Sequence, residues 1–302
     1  MAYRFQVKQD ESSKVRIAYQ GEPGAYSEAA AEQFRPSADK LPCTSFEEVF
    51  HSVETGAAVF GVLPIENSIG GTIHGNYDLL LEHTLSIVGE IQLQIVHNLL
   101  AYPGAKTEEI RQVYSHPQGL AQCEHFLRSM PDRKVVATYD TAGSAKMIRD
   151  QKLKDTAAIA SERAAEVFGL SILKKSIQDF SHNLTRFLLV ATSKTEPIAT
   201  ADKTTVVFSV PNKAGALFKA LSVFALRDID LLKLESRPIR GKPWEYLFYV
   251  DLGMNCNDIM GSRALSQLTE FASSLRTLGT YPSWKELSSE TKPKDSQPSP
   301  SI

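Results

Sequence analysis

SFEEVFHSVETGAAVFGVLPI, residues 45–65, decides how this chain folds. Ser45 followed three residues later by Glu48 is a capping box, in which a hydroxyl and a carboxylate satisfy the open N–H groups at a helix start. Gly56 ends that helix, because glycine enters the left-handed conformation that closes a last turn. The run VFGVLPI, 59–65, is then apolar at nearly every position, as a buried strand is. A capped helix leading into a buried strand is the repeating unit of a parallel sheet with helices on its faces.

The same alternation extends in both directions. VRIAYQ (15–20) reads as a strand ahead of the helix SEAAAEQF, with Ser27 as its expected cap. LSIVGEIQLQIVHNLLAY (85–102) is too long for one strand and is interrupted by Gly89, so it reads as a crossover into a second lobe. From RQVYSH (111–116) to LSILKKS (170–176), strands and helices alternate again. NLTRFLLVA (183–191) is a late strand able to return to either lobe. The expectation is an α/β fold of two lobes with a cleft between them, the place where α/β proteins hold small ligands.

SKTEPIATADK (193–203) is polar and carries a proline, which places a domain boundary there. Beyond it, TTVVFSV, ALFKALSVFALRD, IDLLKLESRP, EYLFYVDL, a helix near 258–274 and LRTLGTY give β-α-β-β-α-β, the ferredoxin-like order. The division is 15–194 for the two lobes, 203–284 for the C-terminal module, and 285–302 for a tail too poor in apolar residues to fold.

Composition narrows the function. The 302 residues carry a net charge of -2, with 42% hydrophobic and 23% charged residues, which fits neither a nucleic-acid surface nor a disordered acidic chain. The expected partner is a small molecule. Cys43, Cys123 and Cys256 are far apart and the seven histidines fall at no ligand spacing, so no metal and no disulfide are expected. No secretion signal opens the sequence and no apolar run is long enough for a membrane span. The expected location is cytoplasmic, or the plastid stroma if a transit peptide lay upstream of residue 1.

Hydroxyls and amides recur where strands end and helices begin. Asn67, Ser68 and Thr72 accompany Gly70 and Gly71; Ser115 opens SHPQ, with Gln122 one turn beyond Gln118; Asp140 and Thr141 follow KVVATY. Each alone reads as a helix cap, whereas together on one cleft they read as a polar binding site. Arg186, between Thr185 and Phe187, needs a carboxylate from a ligand or from the protein, Glu66 and Asp140 being the protein candidates. His74, His97, His116, His125 and His182 read individually as structural or surface residues.

At these residues the sequence resembles the prephenate dehydratase family, which includes the plant arogenate dehydratases. The resemblance runs from residue 15 to about 285 through YQGEPGAYSEAAA, LPIENSIGGTIHGNYDLL, SHPQGLAQC, DTAGSAKMI, IASERAAEVFGL and NLTRFLLVA, in that order. GALFKALSVFALRDIDLLKLESRP (215–238) resembles the family's regulatory ACT domain. The resemblance implies a two-lobed, periplasmic-binding-protein-like catalytic domain, a ferredoxin-like ACT domain, no cofactor, a homodimer or homotetramer, and the form without a fused chorismate mutase. It puts catalytic groups at Thr185, Arg186, Asn67, Ser115 and Gln122, and substrate contacts at Ser68, Thr141 and Phe187. It puts allosteric phenylalanine near Asn212, Ala214, Gly215, Ala216, Leu217, Glu235, Ser236, Arg237 and Pro238. The implied reaction is decarboxylative dehydration of prephenate to phenylpyruvate, with arogenate to phenylalanine as the alternative. A non-catalytic amino-acid-binding protein is the remaining rival. Arg186 is expected to orient a substrate carboxylate, and the Thr185 hydroxyl to assist departure of the ring oxygen.

Overall fold

The computed structural model describes residues 15–192 and 201–284. Most of the expected linker and the tail at 285–302 lie outside the described residues.

The first lobe is built from β1 (Arg16–Gln20), α1 (Tyr26–Phe34), β2 (Asp39–Cys43), α2 (Phe46–Glu54), β3 (Phe60–Asn67), the short β4 (Gly71–Thr72), α3 (His74–Glu82) and β5 (Ser86–Gln94). Ser45 caps α2, accepting from the Glu48 amide at 3.2 Å, and Gly56 follows with φ +77°. The Glu48 carboxylate closes the turn on the amide and hydroxyl of Thr44 instead of on Ser45. Ser27 does not cap α1: the cap position is Ala25, without a side-chain bond, and Ser27 lies inside the helix.

Residues 85–102 divide as their length requires. β5 stays in the first lobe, and β6 (Asn98–Ala101) opens the second. That lobe continues through β7 (Gln112–Ser115), α4 (Pro117–Ala121), α5 (Glu124–Arg128), β8 (Lys134–Ala137), α6 (Thr141–Gln151), β9 (Thr156–Ala160), α7 (Glu162–Phe168) and β10 (Ser171–Lys174). α4 and α5 are two short helices that part at Cys123.

β11 (Leu184–Ala191) returns to the first lobe. It enters the sheet β2-β1-β3-β11-β5 antiparallel to both neighbours, while β1 pairs with β2 and β3 in parallel. The second sheet runs β10-β6-β9-β7-β8. The chain therefore crosses between lobes twice, at 95–97 and at 175–183, which is the two-lobed periplasmic-binding-protein-like plan.

The C-terminal module is β12 (Lys203–Ser209), α8 (Ala216–Ala225), β13 (Leu231–Pro238), β14 (Tyr246–Leu252), α9 (Ile259–Phe271) and β15 (Ser274–Tyr281), in the sheet order β13-β14-β12-β15. Its helices pack on one face, over Val206, Phe208, Val250 and Leu252. Its other face joins the first lobe in a shared core, where Val207, Tyr249, Leu278 and Tyr281 meet Leu63, Tyr77, Ile87 and Leu188. The Arg276 guanidinium donates to the carbonyls of Leu81 and His83 at 2.9 and 2.7 Å. The module is thus docked on the back of the sheet that contains β3 and β11.

Candidate active site

A cleft of about 480 Å³ opens between the lobes, within the size range of small-molecule sites. Asn67 and Thr185, on adjacent strands of the first lobe, face it together with Gln122, Thr141 and Phe187. Pro64, Ile73, Ile95 and Phe187 supply apolar wall.

Hydrogen bonds fix how the polar groups point. The Asn67 side-chain oxygen accepts from the backbone amides of Ile69 and Gly70 at 3.0 and 2.7 Å. A backbone N–H can only donate, so the Asn67 NH2 group must face the other way, toward Asn183 Oδ1 at 2.7 Å and Thr185 Oγ1 at 2.9 Å. Thr185 therefore accepts, and its own proton is left to point into the cleft. Gly70 lies beneath the end of the Gln118 side chain of the other lobe, which a Cβ there would displace.

The same logic runs one step further back. Gln122 donates its NH2 to Asn67 Oδ1 at 3.3 Å, and its carbonyl accepts from Asn183 Nδ2 and His97 Nε2, each at 2.9 Å. His97 is buried, and burial holds its imidazole below the ordinary value, the Gln122 bond pulling weakly the other way. Its Nε2 carries a proton, because the Gln122 carbonyl that faces it can only accept. The Tyr26 hydroxyl lies 3.0 Å from Nδ1 and 2.7 Å from the Val96 carbonyl. His97, Gln122, Asn67 and Thr185 thus form one chain of donors, all oriented toward the cleft, and such chains polarise their last member.

Other expected residues stand elsewhere. Ser115 is fully buried, and its hydroxyl donates to the Ile159 carbonyl at 2.7 Å, tying β7 to β9. Ser68 donates to the His182 carbonyl and accepts from the Leu184 amide, which fastens the turn after β3 to the start of β11. Neither lines the cleft. Arg186 is the main correction. Successive residues of a strand point to opposite faces, so with Thr185 and Phe187 in the cleft, Arg186 leaves through the back of the sheet. There it meets Asp251, Glu90 and Glu66 at 2.5, 3.3 and 3.4 Å. Its charge is already compensated by the protein, so it is no fork for a substrate carboxylate.

Positive potential comes from backbone instead. The first turns of α1, α2 and α6 reach the cleft at Tyr26 and Ser27, at Phe46 and Glu47, and at Thr141. Helix N-termini carry partial positive charge and N–H groups that suit carboxylates; Ser45 and Asp140 already cap α2 and α6, whereas α1 has no side-chain cap. No lysine or arginine is among the described residues that line the cleft, where the ionisable acids are Glu47 and Asp140. Burial raises the Asp140 carboxyl above its usual range, against the pull of the Gly143 and Ala142 amides that it caps.

In the C-terminal module, β13 separates the expected effector residues by face. Glu235 accepts from Thr72 Oγ1 at 2.9 Å and pairs with His74 at 3.0 Å, and Arg237 donates to Asp78 at 3.1 Å. Ser236 and Pro238 are exposed on the opposite face, as are Leu232 and Leu234. Gly215, at φ +74°, begins α8 beside exposed Asn212 and Ala214 and half-buried Ala216 and Leu217.

Tyr26 and Asn183 do not stand out in the sequence, and His97, expected to be a structural or surface residue, belongs to the network behind the cleft. The signal available for Asn183 was a polar residue directly ahead of an apolar run; for His97 it was an imidazole at a crossing between lobes.

Comparison with known proteins agrees with this architecture. A family model described as prephenate dehydratase matches residues 17–195, and one described as ACT domain matches residues 204–255. An Arabidopsis thaliana protein named arogenate dehydratase/prephenate dehydratase 2, chloroplastic, is 50% identical over 283 residues, spanning 89% of this chain and 73% of the relative. A prephenate dehydratase from Arthrobacter aurescens, solved with L-Phe, superposes with a TM-score of 0.81 at 31% identity, covering 89% of this chain and 90% of that one. A structure described as a novel type of quorum-quenching acylase superposes with a TM-score of 0.82 at 35% identity, covering 89% and 98%. A shared fold does not fix a reaction, so the chemistry has to come from the site.

Proposed function

Because the chain belongs to the prephenate dehydratase family and carries an ACT domain, we propose that it removes water and CO2 from prephenate or arogenate in the formation of phenylalanine. It is a carbon–oxygen lyase. The observation that supports this reading most strongly is the Thr185 hydroxyl, held as an acceptor by Asn67 and free to donate into the cleft.

The substrate ring carries a carboxylate at one end and a hydroxyl at the other. The bond to the carboxylate breaks to release CO2, its electron pair becomes part of the aromatic ring, and the C4–O bond breaks with its pair on oxygen. That oxygen leaves as water only if a proton reaches it. Thr185 donates the hydrogen bond and delivers or relays the proton, which is then replaced from solvent. Threonine is a weak acid, and the donor chain behind it increases its polarity in the direction needed.

The first turn of α1, which has no side-chain cap, holds a carboxylate by backbone N–H groups, with Thr141 contributing its hydroxyl. Gln122 and Asn67 keep the donor aligned. Phe187 and the apolar wall exclude water from the ring. Alignment of this kind lowers a barrier by roughly 7 to 11 kcal/mol when it is good.

Phenylalanine acts as effector at the ACT domain, where the exposed face of β13 and the start of α8 pair with a second copy in a homodimer or homotetramer. The relative solved with L-Phe supports this part of the reading. A plastid stroma location carries over from the chloroplastic plant relatives; among the described residues no helix is long and apolar enough to cross a membrane. Side-by-side turnover of prephenate and arogenate, with and without phenylalanine, tests the assignment. Formation of phenylpyruvate or phenylalanine, reduced by added phenylalanine, is expected. No product from either substrate overturns it.

A further inference from the structure

Asn67 and Thr185 face the cleft, and each has a charged chain neighbour that leaves by the opposite face of the same sheet. Glu66 precedes Asn67 and reaches Lys233 of β13 at 2.9 Å. Arg186 follows Thr185 and reaches Asp251 of β14 at 2.5 Å. The two pairs are in register, Thr185 opposite Asn67 and Arg186 opposite Glu66, and Arg186 also contacts Glu66 at 3.4 Å. Immediately beyond, between Arg186 and Phe187, the register of β11 on β3 shifts by a bulge. Bulges re-aim side chains and mark where a strand's phase can change.

The ions themselves do not read as a simple stabilising device. Arg186, Glu90, Lys203 and Asp251 form a buried group of two cations and two anions, with side-chain exposures of 11, 3, 8 and 4%. Burying four charges contributes little net stability compared with apolar packing, yet removing one partner is costly, so the group enforces one geometry at the joint. Lys233 stands two residues before Glu235 on β13, the strand whose far face carries Ser236 and Pro238.

We propose that Arg186 and Glu66 are positioning residues that hold the Thr185–Asn67 hydrogen bond in its working geometry and transmit the state of the ACT domain to it. This rests on the reading of the cleft as the dehydratase site. A shift of β13 or β14 pulls on Lys233 or Asp251, and the pull reaches Glu66 and Arg186. Each of these shares a peptide unit with a residue of the catalytic hydrogen bond. The coupling needs no movement of the cleft's other walls.

The test compares Arg186→Lys, Glu66→Gln and Lys233→Gln with Arg276→Ala, which loses two bonds at the same domain joint but touches neither strand pair. Expected in the first three is a kcat loss of about tenfold or more with KM within about twofold, and a phenylalanine response flattened at least threefold; Arg276→Ala keeps both. The Glu66→Gln/Lys233→Gln double variant loses no more than the worse single one. Amide exchange over residues 66–70 and 184–187 is expected to quicken in the first three variants and not in the fourth, a readout that needs no substrate. If Arg186→Lys does not fold, the Glu66 and Lys233 variants decide. Equal losses in Arg276→Ala, or unchanged kcat and exchange in Lys233→Gln, overturn the proposal. Wild-type protein inactive on both substrates refutes the dehydratase reading instead, and exchange still reports on the coupling.

Discussion

Replacing Thr185 with alanine separates what holds the fold from what carries the reaction. The change removes one hydroxyl and one methyl from a site that is 7% exposed. Asn67 loses an acceptor at 2.9 Å but keeps Asn183 Oδ1 at 2.7 Å and has the Leu184 carbonyl at 3.2 Å in reserve. One lost hydrogen bond, about 1 kcal/mol, and one buried methyl, about 0.8 kcal/mol, sum to about 2 kcal/mol. That lowers Tm by roughly 4–8 °C in a domain of this size and leaves the protein folded at assay temperature. Loss of a general acid costs about 10²- to 10⁴-fold in kcat, or about 3–5 kcal/mol of barrier. Thermal melting followed by initial rates of phenylpyruvate or phenylalanine formation reads both quantities on one sample. Thr185→Ser retains the donor and is expected within about tenfold of wild type. A Thr185→Ala protein turning over within about threefold of wild type refutes the assignment of the hydroxyl.

Ser115→Ala is expected to cost about 1 kcal/mol of stability and to leave kcat within about threefold, since its hydroxyl is committed to Ile159; a hundredfold kcat loss at unchanged KM contradicts this. Gly24→Ala places a Cβ 2.7 Å from the Ala164 backbone at φ +91°, which forces α1 and α7 apart across the lobes, and is expected to destabilise by about 1–3 kcal/mol and to raise KM; an unchanged melting profile contradicts it. Burial pushes Glu28 up, but the Arg163 guanidinium at 2.9 Å and the Gly24 amide outweigh it and hold the carboxyl below its usual range. The folded value is the lower one, so the contribution is complete above the unfolded value of about 4.3 and is lost as pH falls through the folded value. The melting difference between wild type and Glu28→Gln is therefore expected to be constant from neutral pH down to about 5 and to shrink below about 4; a difference that grows on acidification contradicts the sign.

Most of the architecture was legible because it rests on local chemistry. Ser45 and Gly56 bound α2 in the sequence and in the structure, and residues 85–102 are too long to be anything but a crossing. Ser27 misled because a serine one turn from a glycine can cap or can sit inside the helix, and only the backbone decides. The destination of β11 was not legible, since an apolar strand fits the middle of either sheet; pairing with β3 and β5 is settled by tertiary contacts.

In the candidate site, Asn67, Gln122, Thr141, Thr185 and Phe187 share the cleft, whereas Ser115 and Ser68 carry backbone. A hydroxyl at a strand exit has the same appearance in either case. Arg186 was legible in principle: a strand with Thr185 and Phe187 on one face must send the residue between them to the other. Its partners were only partly so. Glu66 was one of the two candidates named from the sequence, Glu90 comes from β5, the other strand beside β11, and Asp251 arrives only with the docking of the C-terminal module.

The most direct measurement is a crystal structure with a non-reacting analogue of the ring diacid in the cleft. Expected are the C4 oxygen within about 3 Å of Thr185 Oγ1, a carboxylate on the uncapped first turn of α1, and Arg186 still bound to Asp251 and Glu90. An analogue carboxylate paired with Arg186, with Thr185 turned toward protein, contradicts this.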